Sequence, residues 1–310
     1  MQFVVCFRKH AVVGIISFTT CMALLCFWWR PTQPSRSVRV DDADRVASAD
    51  AVILNYSQLL NIEWDTREDP VRIVHQSWKT ARLPPRFANW SLTWRACFPD
   101  WTHVLWSDED NERFVREHYA WFLERYRTFK KHIYRVDAVR YLYLHHFGGI
   151  YTDLDNLCLR PFEHLLRGRG LVFGDMERDD MKPAEHWVYI QNSLLYSRRA
   201  HPFWLELVSR IAKIDAGADG LPESLTGPVA MMNALRDRWE RYAAEVNVYP
   251  PETFNPFSYV TRKSPCRDLN QMDDQQLRTR VAHRSANPDS YVLQLHTQTW
   301  DRGKSIDVNL

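Results

Sequence analysis

Asp153-Leu154-Asp155 sets two carboxylates one residue apart. Two acids so spaced at the end of a buried strand can hold a hard divalent cation through oxygen, and Mg²⁺ or Mn²⁺ held this way is usually shared with substrate phosphates. Immediately upstream, Gly148-Gly149 lets a helix end in a left-handed turn and lets backbone approach a ligand closely. Before that turn, Arg135-Val-Asp137-Ala-Val-Arg140 carries Asp137 and Arg140 three residues apart, on one face of a helix. Ile133, Val136 and Leu144 fall on the same stripe. A charged pair within an apolar face must be paired or ligand-bound, because isolated buried charge is costly. Singly, each feature has a plain structural reading: an Asp–Arg bridge bracing a helix, a helix-ending glycine, a loop cap. In the order helix, turn, Asp-x-Asp they favour a cation–diphosphate site.

Such a site needs a scaffold, and the flanking pattern supplies one. Strands are expected at Val71–Trp78 and at Trp101–Trp106, the latter followed by Ser107 as a helix cap with acids in the first turn. Helices are expected over 110–127 and 131–146, a strand over 149–153, then strands at Leu171–Phe173 and Val188–Ile190. Helices near 201–213 and 228–243 and a strand at Tyr291–Leu295 complete the pattern. Strands alternating with helices predict an α/β, Rossmann-like, mostly parallel sheet flanked by helices. Ligands in such sheets bind beyond the carboxyl ends of the strands, which is where Asp153 and Asp155 fall.

The 310 residues carry a formal charge of only +2, so no basic stripe argues for nucleic acid. There is no CxxC pair, which argues against a zinc centre. Cys97, Cys158 and Cys266 in the body allow at most one disulfide, whose pairing the sequence leaves open. Arg8-Lys9-His10 precedes Ala11–Trp29, 19 residues without a charge. That is close to the roughly 20 needed to span a bilayer. It exceeds the apolar core of a signal peptide, and Trp28-Trp29 suits an interfacial belt. The expected organisation is a cytoplasmic tail and transmembrane signal-anchor over 1–30, a polar stem over 31–69 and a catalytic domain over 70–310. Asn55-Tyr-Ser57 and Asn89-Trp-Ser91 are glycosylation sequons if the body is luminal.

Arg135 through Asp155 resembles the sugar-binding region with a DXD motif in glycosyltransferase family 32, which includes Golgi α-mannosyltransferases and mannosyl-inositol-phosphoceramide synthases. Ile73-Val-His75-Gln-Ser-Trp78, Phe98 through Asp108, Ile190-Gln-Asn192, His201-Pro-Phe203 and Thr226-Gly-Pro228 are similar to further blocks of that family. The resemblance implies a GT-A fold and a retaining transfer of a hexose from a nucleotide-sugar to a hydroxyl of a glycan, sphingolipid or other glycolipid, giving an α-linkage. It also implies Mn²⁺ (or Mg²⁺) as cofactor and a single-pass type II protein of the Golgi membrane, with its catalytic domain luminal, that could work in a complex with other glycosyltransferases. By motif match Asp153 and Asp155 take the metal-binding place, and Asp137 and Arg140 take the places that contact the donor sugar. His75, Gln76 and Trp78 are candidates for the nucleotide pocket. His296-Thr-Gln-Thr-Trp300 resembles the closing C-terminal segment, with His296 a further metal ligand and Trp300 against the leaving diphosphate. Asn192 stands where a polar residue could face the acceptor.

Were the reaction a double displacement, Asp175, Glu177, Asp179 and Asp180 would be the carboxylates to consider, and the sequence does not choose among them. Two other classes use the same features: a catalytically silent anchored subunit, and a metal-dependent nucleotidyl- or phosphotransferase. Released product separates the three.

Overall fold

The computed structural model describes residues 53–65, 67–176, 189–215, 217–256, 276 and 290–297. The expected anchor, Glu177, Asp179, Asp180, Cys266 and Trp300 lie outside these residues. No helix among the described residues is long and apolar enough to cross a membrane.

In chain order the elements are β1 (Ile53–Leu54), α1 (Tyr56–Leu59), β2 (Ile73–Ser77), α2 (Pro85–Cys97), β3 (Thr102–Trp106), α3 (Asp108–His118), α4 (Ala120–Thr128) and α5 (His132–His146). Next come β4 (Gly149–Thr152), β5 (Asn156–Cys158), β6 (Leu171–Asp175), β7 (Ile190–Ser197), α6 (Pro202–Ile211), α7 (Pro222–Leu225) and α8 (Pro228–Arg236). The last are α9 (Trp239–Tyr242), β8 (Val246–Tyr249), α10 (Pro251–Phe254) and β9 (Val292–Gln294). Seven strands form one sheet in the order β1-β3-β2-β4-β7-β6-β8. β7 runs antiparallel to both neighbours, β4 and β6, while the other pairings are parallel. The α/β, mostly parallel sheet expected from the pattern is therefore present. β5 and β9 form a separate two-stranded ribbon.

α5 leads into the central strand β4. Its residues from Ala138 to Leu144 are buried without interruption. A helix closed in on all sides must also bury whatever charge it carries, and this brings Asp137 and Arg140 inside. At its end, Gly148 and Gly149 take φ of +72° and +87°. Trp106 Nε1 donates to His75 Nδ1 at 3.1 Å, leaving His75 Nε2–H to donate to the Gly148 carbonyl at 3.0 Å. The double-glycine turn is thus tied to β2 and β3.

Three boundaries differ from expectation. The helix expected over 110–127 is two, because Tyr119 leaves helical geometry (φ −135°, ψ 47°). That departure sends its hydroxyl to His145 Nδ1 at 2.8 Å and its ring against Phe114. With neither Pro nor Gly at the break, no local signal marked it. The helix expected over 228–243 also divides, since Arg238, Arg241 and Tyr242 all turn onto the carboxylate of Glu206, at 3.1, 2.7 and 2.7 Å. The strand expected at Val188–Ile190 is β7, which runs on to Ser197; polar Gln191-Asn192-Ser193 had interrupted its apolar pattern. The packed body also reaches back into the expected stem. β1 pairs with β3, and Tyr56 is fully buried against Trp106 and Phe114. Of the three body cysteines, Cys97 and Cys158 form the disulfide, joining α2 to β5.

Burial holds seven histidines below their usual range: His75 to about 3, His103, His146, His201 and His296 to about 4, and His118 and His145 shifted the same way. A group depressed on folding contributes stability that is complete above its unfolded pKa, near 6.5 for histidine, and lost as pH falls through the folded value. Asp137 and Asp153, raised by burial to about 6, and Asp155, raised by burial as well, act the opposite way, their share being lost as pH rises through the folded values. Seven groups outweigh three, so the thermal midpoint should fall steadily as pH is lowered from 7 to 4. A midpoint that rose over that range would contradict this arrangement.

Candidate active site

β4 ends at Thr152, and the next three residues turn toward β5. Leu154 is buried in a cluster with Phe87, Trp90, Leu157, Leu293 and Leu295. Anchoring the middle residue of Asp153-Leu154-Asp155 in apolar packing turns the flanking carboxylates away from that cluster. The loop is fixed by backbone as well: Asp153 N–H donates to the Ser193 carbonyl at 2.8 Å, and Asn156 N–H donates back to the Asp153 carbonyl at 3.1 Å.

Arg140 occupies the centre. Its guanidinium lies 3.2 Å from Asp137 Oδ1 and 3.3 Å from Asp153 Oδ1, donates to the Asn192 carbonyl at 2.8 Å, and covers the Tyr151 ring at 4.5 Å. Burial alone would depress its pKa, but Tyr151, Asp153 and Asp137 together hold it above the usual arginine value. Its charge is therefore permanent. Asp137 is saturated, its Oδ1 accepting also from Asn192 Nδ2 at 3.1 Å and its Oδ2 from Thr226 Oγ1 at 2.9 Å. The Asp153 side chain is about a third exposed (31%), whereas those of Asp137 and Arg140 are almost closed off. Tyr151 donates to Asp153 Oδ1 at 2.7 Å. Burial first, and the neighbouring Asp155 second among the upward influences, push the Asp153 carboxyl up to about 6. Asp155 is also raised by burial, against hydrogen bonds from Thr297 that lower it.

Fit to a metal follows from these charges. Three ionised carboxylates (Asp137, Asp153, Asp155) against one guanidinium (Arg140) leave two formal negative charges, which a divalent cation balances. Two carboxylates with the remaining positions left to phosphate oxygens and water is a common Mg²⁺ arrangement. Among the described residues no three His, Cys, Asp or Glu side chains gather to hold a metal. His296, expected as a further ligand, lies two residues beyond β9. It is buried in left-handed backbone (φ +51°), one residue before Thr297, which bonds Asp155.

The expected nucleotide-pocket residues divide. His75 is fully buried with both ring nitrogens engaged inside the fold, where it braces the glycine turn. Gln76 is closed under α2, where Ser91 Oγ donates to its Oε1 at 2.5 Å. Trp78, half-buried, packs edge-on to Phe87 with Lys79 Nζ 5.5 Å from its ring centre, and it keeps an exposed part beside the strand end. Asn192 is half-buried, and its amide donates to Asp137 and to Tyr141 Oη, so it joins the bracing under the site.

Two members of the constellation had been given no role. Tyr151 was legible, since a strand's two-residue period puts it on the same face as Asp153. Thr226 was not, because only tertiary folding brings it 89 positions back along the chain to Asp137.

Residues 84–170 match the sequence model of the family described as glycosyltransferase sugar-binding region containing DXD motif. A mannosyl phosphorylinositol ceramide synthase of Saccharomyces cerevisiae is 32% identical over 140 residues, covering 45% of this chain and 35% of that protein. The inositol phosphoceramide mannosyltransferase 1 of Schizosaccharomyces pombe is 30% identical over 147 residues, covering 46% of this chain and 43% of that protein. This chain spans less than half the length of each. Among solved structures, the UDP-bound glycosyltransferase domain of the YGT toxin aligns with 70% of this chain and 89% of its own, at 11% identity and a TM-score of 0.39, too distant to establish a shared fold. The residue-level resemblance is borne out: residues 84–170 are similar to the glycosyltransferase sugar-binding region that contains a DXD motif.

Proposed function

We propose that the chain is a metal-dependent, retaining hexosyltransferase of GT-A architecture that moves a sugar, with mannose the favoured candidate, from a nucleotide-sugar to a hydroxyl of an inositol-phosphate glycolipid. The observation that carries this reading is the carboxylate pair Asp153/Asp155 just past the carboxyl end of the central strand, with Asp153 paired to Arg140. The glycolipid acceptor is taken from the two relatives' names. A membrane anchor over 1–30, a Golgi setting and a luminal catalytic domain complete the proposal. The Cys97–Cys158 disulfide supports an oxidising compartment.

In this reading Asp153 and Asp155 would hold the cation, which when bound would neutralise charge developing on the departing diphosphate. Arg140 adds a fixed positive charge under the same region, and its partners keep it from reorganising as the leaving group separates. Asp137 and Asn192 hold Arg140 in place. No strong base is required of the chain, because in a retaining transfer the leaving phosphate can accept the acceptor's proton.

The test is incubation of the full chain with a panel of nucleotide-sugars, GDP-mannose included, with Mn²⁺ and an inositol phosphoceramide acceptor. Nucleoside diphosphate should be released with one donor and the release abolished by EDTA. Pyrophosphate release would instead identify a nucleotidyltransferase, and no release with any donor would identify a silent subunit.

A further inference from the structure

The segment 290–297 lies against the carboxylate loop. β9 pairs antiparallel with β5, in the register Asn156 with Gln294, Leu157 with Leu293 and Cys158 with Val292. The ladder's last rung is Leu295 N–H to the Asp155 carbonyl at 2.9 Å. Another antiparallel step would carry the chain past the loop. Instead His296 adopts φ +51°, an uncommon conformation for a residue other than glycine. Backbone strain of this kind persists where surrounding structure enforces it, often at ligand sites. The turn aims Thr297 at Asp155, whose Oδ2 accepts from the Thr297 N–H at 2.8 Å and from its hydroxyl at 3.0 Å. Both residues are buried.

A carboxylate rotates about its last bond unless something stops it. Two donors on one oxygen stop it, and they leave the other oxygen as the one to offer a cation. We propose that Thr297 is a positioning residue: it locks Asp155 so that Oδ1 alone is presented to the divalent ion, and the β5–β9 ribbon sets the register in which it does so. This rests on the metal role of Asp155 proposed above and adds a residue outside the Asp-x-Asp motif. Hydrogen-bond partners that orient metal ligands typically change metal affinity by 10–100-fold when removed.

The test is Mn²⁺ affinity of the full chain in detergent micelles, without donor or acceptor, read from the free-Mn²⁺ signal by electron paramagnetic resonance. Thr297→Val keeps the shape and the backbone N–H but loses the hydroxyl, and it should weaken Mn²⁺ binding about tenfold. Thr297→Ser should restore it, and Thr297→Ala, which adds no bulk, should repeat the loss. Transfer by Thr297→Val should recover its full kcat once Mn²⁺ is raised to saturation, which a damaged fold would not allow. If the wild type binds Mn²⁺, Asp155→Asn loses it, and Thr297→Val and Thr297→Ala bind as the wild type does, the positioning role is overturned while the metal site stands. If the wild type and Asp155→Asn are alike in binding no Mn²⁺, the proposed metal site itself is overturned and this inference goes with it.

Discussion

Asp155→Asn should leave the chain folded and lower sugar transfer by about a thousandfold. The side chain accepts from Thr297 through Oδ2, and the amide oxygen of Asn can take over that role, so packing survives. What disappears is one of the two negative charges proposed to hold the cation. Metal stabilisation of a leaving diphosphate is worth several kcal/mol, and each ~1.4 kcal/mol is tenfold in rate, hence about 10³. Asp153→Asn should cost less. Asp153 is already paired with Arg140 at 3.3 Å and hydrogen-bonded by Tyr151, so part of its charge is committed within the protein. The checks are initial rates at saturating Mn²⁺ beside thermal midpoints for both variants. Wild-type rates in Asp155→Asn would remove the cation from the mechanism.

Gly149→Ala should be the most destabilising single substitution in the turn, at about 2–5 kcal/mol, summing overpacking and left-handed backbone cost. A Cβ there would stand 2.2 Å from Ile73 Cγ2 and 2.4 Å from the Ile73 carbonyl oxygen, at φ +87°. Neither neighbour can yield, since Ile73 is a fully buried residue of β2. Domains are stable by about 5–15 kcal/mol, so soluble yield should fall sharply. Gly168→Ala is the control: its φ is +69°, yet nothing lies within 4 Å of the added atom. It isolates the backbone cost, about 1–2 kcal/mol. Urea denaturation of the two variants measures the difference, and equal losses would show that the close approach to Ile73 is tolerated.

What could be seen in the residues was what is local. The period of two in the strand expected over 149–153 sets Tyr151 and Asp153 on one side, and spacing along a helix pairs Asp137 with Arg140. The capping box at Ser107 and Asp110 was likewise visible as a serine followed by acids, and the helix starts there. Alternation of strands and helices was enough for the sheet class. Breaks that carry no Pro or Gly, at Tyr119 and at Arg238, were invisible because side chains distant in sequence cause them. The same applies to His75. Its place beside polar Gln76 and Trp78 suggested a ligand, but three neighbours from other elements (Trp106, Tyr143 and the Gly148 carbonyl) enclose it.

By itself, then, the amino-acid order determined the chemistry on offer: two acids on one short loop, a guanidinium within reach along the preceding helix, and glycines where the chain must turn tightly. Tertiary structure alone decided how that chemistry is held. It brought Thr226 to Asp137, the Asn192 carbonyl to Arg140, and Thr297 to Asp155 across 142 positions. The physical reason is range. Propensity and periodicity act over a turn or a strand, whereas a buried charge must find its partners wherever the packed core delivers them.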